Sequence, residues 1–327
     1  LKDNSFGRKL DSITTFFHGL RTRLSATAGF FFFTKDKPFF LNCAMFYLQP
    51  EHIKAFIQQA LQEDLGSGDH SSLSTIPLGT KSRAKALIKE DGVLAGVDLA
   101  LSIFKEVDPN LEVTVYLNDG ADVKKGDIVF IVEGSVHAIL AAERLVLNCM
   151  QRMSGIATYT KHLVSLISHT GAKLLDTRKT TPNFRIAEKW AVKIGGGENH
   201  RFALYDMIMI KDNHVDYAGG ITKAIRNAKD YLAKEGLSLD IEVETRNLEE
   251  VSEALAEGGI RRIMFDNFPL ELLKAGVKLV NKAVETEASG GINESSIVSI
   301  AETGVDYISV GALTHHVRSI DISLKAY

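Results

Sequence analysis

The chain has 327 residues, 45% hydrophobic and 24% charged, which is enough for one large or two medium domains with a full core. Its formal net charge of −3 and pI of about 6.4 exclude the broad basic face of a general nucleic-acid binder or a protein held to a membrane surface. The only cysteines, Cys43 and Cys149, are too few for a disulfide framework and point to a reducing, cytoplasmic setting.

Residues 1–44 are unlike the rest. They mix Lys and Arg with a Phe run at 30–33 far too short to cross a bilayer, and the first methionine is Met45. A basic leader bearing Ser and Thr resembles a transit peptide, but Asp3, Asp11 and Asp36 oppose that reading. The stretch is therefore set aside as an extension extraneous to the fold.

From Pro50, apolar residues recur at helical spacing (Ile53, Phe56, Ile57, Ala60, Leu61), with Pro suited to the first turn and Gly66 to the stop. "RAKALIKEDG", "LEVTVYLNDG" and "GDIVFIVEG" then read as short strands closed by Gly, with the helical "VDLALSIFKEV" between the first two. Two further helical stretches, "HAILAAERLVLNCMQRMSG" and "ATYTKHLVSLISHTG", complete an α+β domain over 45–160. Residues 161–327 then form a second domain, whose C-terminal tail is free to return to the first.

In that second domain six short apolar runs alternate with helical segments: "KLLDTRK", "MIMIKDNH", "LDIEVET", "RRIMFDN", "AVETEASGG" and "DYISVGA". The alternation predicts a parallel α/β arrangement. Each run is apolar first and carries its charged, Asn or Gly residues last. In an α/β barrel the carboxyl ends of all strands meet at one mouth, whereas an open sheet needs functional residues mainly at its switch point. Six decorated ends predict the barrel.

The mouth so predicted has three kinds of residue. Ser289, Gly290, Gly291 and Gly311 lie in late Gly turns, either simple tight turns or, as their place in a barrel favours, a cradle of bare N–H groups for phosphate. Glu244 and Asp266 end adjacent strands, where a few carboxylates suit Mg2+ shared with substrate phosphates; alternatively each pairs a nearby arginine. No His/Cys set has zinc spacing, since His315 and His316 merely adjoin.

The third group is cationic. "LLDTRKTTPNFRIAEKWAVKIGGGENHR", residues 174–201, is strongly basic in a nearly neutral chain. Arg178 and Lys179 end one strand, His200 and Arg201 follow a glycine triplet, and Lys211 ends the next strand with Asp212, Asn213 and His214, three groups that should reach one mouth. Arg offers a fork for carboxylate or phosphate and Lys a mobile point charge. Arg185, Lys189 and Lys193, four residues apart, read instead as one solvated helix face. A phosphate cradle, a Mg2+ site and excess cations fit a polyphosphate meeting a second anion that bears carboxylates. No nucleophile set is apparent, so positioning and electrostatics must suffice.

"DTRKTTPNFRIAEKWAVKIGGGENHR", "MIMIKDNH", "IEVET", "FDNF", "EASGGI" and "YISVGALTH", with the earlier "AERLVLNCMQRMSGIAT" and "LQEDLGSGDHSS", are long motifs that run in order over the whole chain and closely resemble the quinolinate phosphoribosyltransferases. The resemblance covers 45–327 and departs slightly at Ser71 and Ser72, where the family commonly shows Thr. It implies a type II phosphoribosyltransferase fold, that is, an N-terminal α/β sandwich-like domain and a C-terminal irregular α/β barrel. It implies quinolinate and phosphoribosyl pyrophosphate as substrates, Mg2+ as cofactor, and a homodimer, with assembly beyond the dimer left open. By motif position, Arg144 (from the partner subunit), Thr177, Arg178, His200, Arg201 and Lys211 would bind quinolinate. Lys179, Glu244, Asp266, Ser289, Gly290, Gly291, Gly311 and Ala312 would bind phosphoribosyl pyrophosphate, with Glu244 and Asp266 on the metal and Lys179, Lys211, Glu244 and Asp266 as catalytic groups. Without the resemblance Arg144 reads as a surface residue of a helix. Two alternatives stand beside this one: a related transferase acting on another ring acid, such as the paralogue beside molybdate-transport genes, and a non-catalytic barrel that binds sugar phosphates.

Overall fold

The computed structural model describes residues 46–327; the extension expected to be extraneous, 1–44, lies outside the described residues. After a short 3-10 helix, Phe46–Leu48, helix α1 runs Pro50–Leu65 with Pro50 in its first turn and Gly66 at its C-cap, as the periodicity predicts. Helix α2 (His70–Thr75) starts where the Asp69 carboxylate accepts from the Ser72 N–H at 3.1 Å. There follow β1 (Lys81–Ile88), β2 (Gly92–Val93), α3 (Val97–Val107), β3 (Glu112–Val115), β4 (Asp122–Val123) and β5 (Ile128–Ser135). Alternate positions of β1 (Ala84, Ala86, Ile88) are buried, as a strand with one face on a core requires. Leu99, Ala100, Ile103 and Phe104 of α3 join that core, Phe104 meeting Phe130 edge to face at 5.6 Å.

Helix α4 is a single element of 31 residues, Val136–Leu166, where the sequence suggests two helices. The first of the two stretches ends at Gly155, inside the helix. Position 155 is a glycine because the C-terminal segment crosses the helix there: a Cβ would sit 2.2 Å from the carbonyl oxygen of Arg318. That crossing delivers the last strand, β12 (Ile322–Ala326), to β1, giving an antiparallel sheet in the order β12-β1-β5-β3. The N-terminal sheet is thus completed by the C-terminus.

The six apolar runs each supply a parallel strand: β6 (Lys173–Leu175), β7 (Ile208–Ile210), β8 (Ile241–Thr245), β9 (Arg262–Asp266), β10 (Glu285–Ser289) and β11 (Tyr307–Ser309). Between them lie α5 (Arg185–Ile194), α6 (Asp212–Ala218), α7 (Ile221–Glu235), α8 (Leu248–Glu257), α9 (Leu270–Val280) and α10 (Ile297–Ala301), with α11 (Ala312–His315) after β11. Their order is β6-β11-β10-β9-β8-β7. Chain neighbours β6 and β7 therefore stand at opposite ends of the sheet, and the segment between them fills the seam: Glu198 bridges Leu175 in parallel and donates its N–H to Leu174 at 2.7 Å. This is the irregular barrel, with all strand carboxyl ends on one side. Among the described residues no helix is long and apolar enough to cross a membrane.

Candidate active site

A cavity of about 840 Å3 opens at the carboxyl ends of the barrel strands. Thr177, Arg178 and Lys179 reach it from the chain beyond β6, His200 and Arg201 from the seam, and Lys211 from the end of β7. Glu244 of β8, Asp266 of β9 and Ser289 of β10 reach it from strand ends, and Gly290, Gly291, Gly311 and Ala312 from the turns that follow. Every barrel residue assigned to a substrate from the sequence thus lines one cavity. Asp212, expected at the mouth beside Lys211, lines it, as do Met209, Met264, Asn267, Glu287, Ser309 and His315, none of these six singled out beforehand as a site residue.

The late turns have the form of an anion cradle. Among the described residues, the backbone N–H groups of Gly290, Gly291, Gly311 and Ala312 have no acceptor within the chain. Gly290 has φ +99° and passes so close to Asn267 that a Cβ would fall 2.3 Å from its Oδ1. At Gly311 a Cβ would crowd His315 Nε2 at 2.8 Å and the Lys179 stem at 3.1 Å. Glycine there lets a lysine and a histidine close on bare backbone donors. Burial, with His316 and Lys179 nearby, holds the His315 ring below its ordinary pKa.

Across the cavity, Glu244 Oε2 lies 3.2 Å from Lys211 Nζ, and Asp266 Oδ2 accepts from Asn267 at 2.9 Å. Each carboxylate spends one oxygen on a protein partner. They stand at adjacent strand ends facing one cavity, an oxygen-only set that fits Mg2+.

The expectation of a solvated cationic face on α5 is overturned. Lys189 is fully buried, paired with Asp176 and donating to the His200 carbonyl at 3.0 Å. Arg185 donates to Thr180 Oγ1 and to the Phe202 carbonyl, each at 3.0 Å, and Lys193 meets Glu198 at 2.6 Å. The four-residue spacing does mark one face, but that face turns toward the seam. Asp176 also accepts from His200 N–H at 2.9 Å and from Asn199 Nδ2 at 2.6 Å, while the Tyr47 hydroxyl donates to Asn199. Burial pushes the Asp176 carboxyl up and the Lys189 ammonium down, and their attraction opposes both. The pair grips the backbone that presents His200.

The His200 ring points into the barrel. Its Nδ1 accepts the Arg201 N–H at 2.7 Å, which puts the proton of the neutral ring on Nε2. Nε2 lies 3.0 Å from Glu242 Oε2 and 3.5 Å from Glu287 Oε2, close enough for attraction but out of line for a hydrogen bond. Burial pushes the carboxyls of Glu242 and Glu287 up to about 7 each, against the pull of Arg262 on both. Both Glu242 oxygens and Glu287 Oε1 lack a hydrogen-bond donor; one proton shared between the two acids would satisfy two of these three oxygens. The three residues also bring one ligand atom each within 4.8 Å, a grouping that sequence spacing hid, but Arg262 already sits 2.9 Å from Glu287. A guanidinium in that place disfavours a second cation.

Arg144 is the exception among the expected site residues. It is exposed on α4 and does not line the cavity of its own chain.

Two family matches divide the chain: residues 69–154 match the quinolinate phosphoribosyl transferase N-terminal domain and residues 156–325 the C-terminal domain. The chain is 49% identical to a protein of Nicotiana glauca named quinolinate phosphoribosyltransferase [decarboxylating] 2, mitochondrial, over 84% of this chain and 82% of that one. It is 51% identical to a chloroplastic nicotinate-nucleotide pyrophosphorylase [carboxylating] of Oryza sativa, over 84% and 77%. A solved nicotinate-nucleotide pyrophosphorylase of Francisella tularensis superposes with a TM-score of 0.77 at 40% identity, covering 84% of this chain and 96% of that one. The organellar names overturn the cytoplasmic expectation. Scarcity of cysteine reports only the lack of a disulfide framework and does not separate one reducing compartment from another.

Proposed function

The chain belongs to the quinolinate phosphoribosyltransferase family, and on that premise we propose how its barrel mouth works. The enzyme transfers phosphoribosyl from phosphoribosyl pyrophosphate to quinolinate with decarboxylation, giving nicotinate mononucleotide, pyrophosphate and carbon dioxide in NAD biosynthesis. One observation carries the assignment of roles: phosphate-type donors, paired acids and carboxylate-type cations all line the same cavity.

Arg178, Arg201 and Lys211 grip the two quinolinate carboxylates, with Thr177 and His200 completing that wall. Ser289, Gly290, Gly291, Gly311 and Ala312 hold the ribose 5-phosphate on their N–H and hydroxyl groups, with His315 beside them. Lys179 holds the pyrophosphate. Glu244 and Asp266 would hold Mg2+, which supplies charge neutralisation for the pyrophosphate as it leaves.

The ribose C1–O bond to pyrophosphate breaks with its electron pair on oxygen, leaving positive charge on the sugar. Carboxylates fixed near the sugar stabilise that charge more than the ground state, which lowers the barrier. The pyridine nitrogen then bonds to C1. Once quaternised, it stabilises the electron pair released when the adjacent carboxylate leaves as carbon dioxide, and a proton fills the vacated carbon. Arg and Lys hold the ring acid in line for both steps, so no covalent enzyme intermediate is required.

We infer that Arg144, exposed on its own chain, completes the quinolinate site of a partner subunit in a homodimer. The organellar relatives favour an organellar address. The test is release of labelled carbon dioxide from quinolinate carrying label in the carboxylate next to nitrogen. Purified protein should release it only with phosphoribosyl pyrophosphate and Mg2+, and nicotinate, which lacks that carboxylate, should be a poor substrate. Equal turnover of nicotinate would refute the assignment of the cations.

A further inference from the structure

We propose that Glu242 and Glu287 are positioning residues that fix the His200 ring and, through it, the Arg201 backbone beneath the quinolinate carboxylates. The proposal rests on the reading that quinolinate lies over His200 and Arg201.

Strand alternation puts Glu242 on the same side of β8 as Glu244, and Glu287 on the same side of β10 as Ser289, in each case two residues deeper into the barrel. Both side chains have no solvent exposure, and the His200 side chain only 6%. From below, Arg262 Nη1 reaches Glu287 Oε2 at 2.9 Å and Glu242 Oε2 at 3.7 Å. Its Nη2 is tied to Glu285 at 2.9 Å and its guanidinium lies 4.0 Å over the Tyr307 ring, so the base of the column cannot turn. From above, His200 Nε2 faces both acids, and its Nδ1 takes the Arg201 N–H. The Arg201 guanidinium is itself tied to the Met207 carbonyl at 3.1 Å. A continuous line of polar contacts thus runs from Arg262 through two acids and His200 to Arg201.

Burying two carboxyls beside a histidine and a guanidinium costs more than filling the same space with apolar side chains. The arrangement also fixes which ring nitrogen faces the acids. If His200 turned over, a ring C–H would take the place of Nδ1 and the Arg201 N–H would lose its acceptor, while a second C–H would replace Nε2 before the acids. The two acids make that orientation the favoured one, and the Arg201 side chain leaves the backbone at an angle set by it.

Glu242→Gln and Glu287→Gln keep the size and an acceptor oxygen while removing the carboxylate. Each should raise the quinolinate KM about 10-fold, a coupling of about 1.4 kcal/mol, and leave the KM for phosphoribosyl pyrophosphate within about 2-fold. Melting temperature should stay level or rise, as for a neutralised buried acid. In a His200→Ala background neither change should add to the quinolinate KM, because the residue they act through is gone. Equal rises in both KM values, no rise in either, or a full additional factor in the His200→Ala background would overturn the proposal. His200→Ala and Arg201→Ala serve as controls for the underlying reading. If they leave the quinolinate KM unchanged, the reading and the inference fall together; if they raise it and the Gln variants do not, only the inference falls. For variants that fail to fold, nitrogen NMR of wild-type protein with labelled histidine supplies the check: His200 should carry its proton on Nε2, and a proton on Nδ1 of the neutral ring would overturn the proposal.

Discussion

Lys189→Met removes an ammonium from a place without water. Both partners of the Lys189–Asp176 pair have no side-chain exposure, so the variant strands a carboxylate in the barrel wall. Breaking a buried pair from one side costs roughly 3–5 kcal/mol, and the His200 carbonyl losing its donor adds about 1 kcal/mol. For a body of this size that total corresponds to a fall in melting temperature of about 10 °C or more. Asp176 keeps the Asn199 and His200 donors, which soften the loss without cancelling it. Removing the stranded charge should therefore restore much of the stability: Lys189→Met with Asp176→Asn should lose less than half of what Lys189→Met loses alone. Urea unfolding followed by circular dichroism measures all three proteins. A loss below about 1 kcal/mol for Lys189→Met, or a double variant whose loss equals the sum of the singles, would refute the reasoning.

Gly290→Ala places a methyl on Asn267 at a positive-φ position and should raise the KM for phosphoribosyl pyrophosphate about 10-fold with the quinolinate KM nearly unchanged; an unchanged first value would sink the cradle. Asp119, whose Oδ1 accepts the Val97 N–H at 2.8 Å, has its carboxyl pushed from 3.8 up to about 6, chiefly by burial, with Asp98 adding to it. The native state then binds this proton more tightly than the unfolded chain, so the group's contribution falls as pH rises between about 4 and 6. That difference amounts to at most about 3 kcal/mol, and Asp119→Asn should gain on wild type by up to that much between pH 4 and pH 7 in urea titrations; a flat difference would contradict it. Arg144→Ala and Lys179→Ala, each nearly inactive alone, should regain about a quarter of wild-type activity when unfolded and refolded together, since half of the dimers are mixed and each mixed dimer holds one intact site. Mixed dimers without activity would place Arg144 outside the partner's site.

The barrel was legible because its strands have apolar beginnings and polar ends, a pattern that geometry turns into a mouth. Glu244, Asp266 and Ser289 fall at that mouth for the same reason. Lys189 was illegible because helical spacing shows that Arg185, Lys189 and Lys193 share a face but not what the face meets. Its partner Asp176 is 13 residues away across a turn. Glu242 and Glu287 were half legible: alternation puts them inside, on the side of Glu244 and Ser289, but only the assembled barrel shows Arg262 and His200 closing on them from either end. The two helical stretches that meet at Gly155 are one helix, and sequence does not show that the glycine there admits a crossing chain.

The glycine triplet at 195–197 links these observations. A Cβ at Gly195 would strike the Ala157 carbonyl at 2.6 Å and one at Gly197 would meet Val192 at 2.8 Å, so the loop lies hard against α4 on one side and α5 on the other. That contact fixes where the chain leaves α5, and Asn199 and His200 follow within a few residues, held by Asp176 and Lys189. Helix α4 is also the element that carries Arg144, 13 residues before Ala157 along an unbroken helix. The same rod thus backs the loop that leads to His200 and Arg201 near one end and carries the exposed Arg144 toward the other. On the proposed reading that Arg144 completes a partner's site, one unbroken helix both backs the loop that carries His200 and Arg201 and holds the residue offered outward, so Arg144→Ala should leave the seating of that loop, and with it the melting temperature, nearly unchanged.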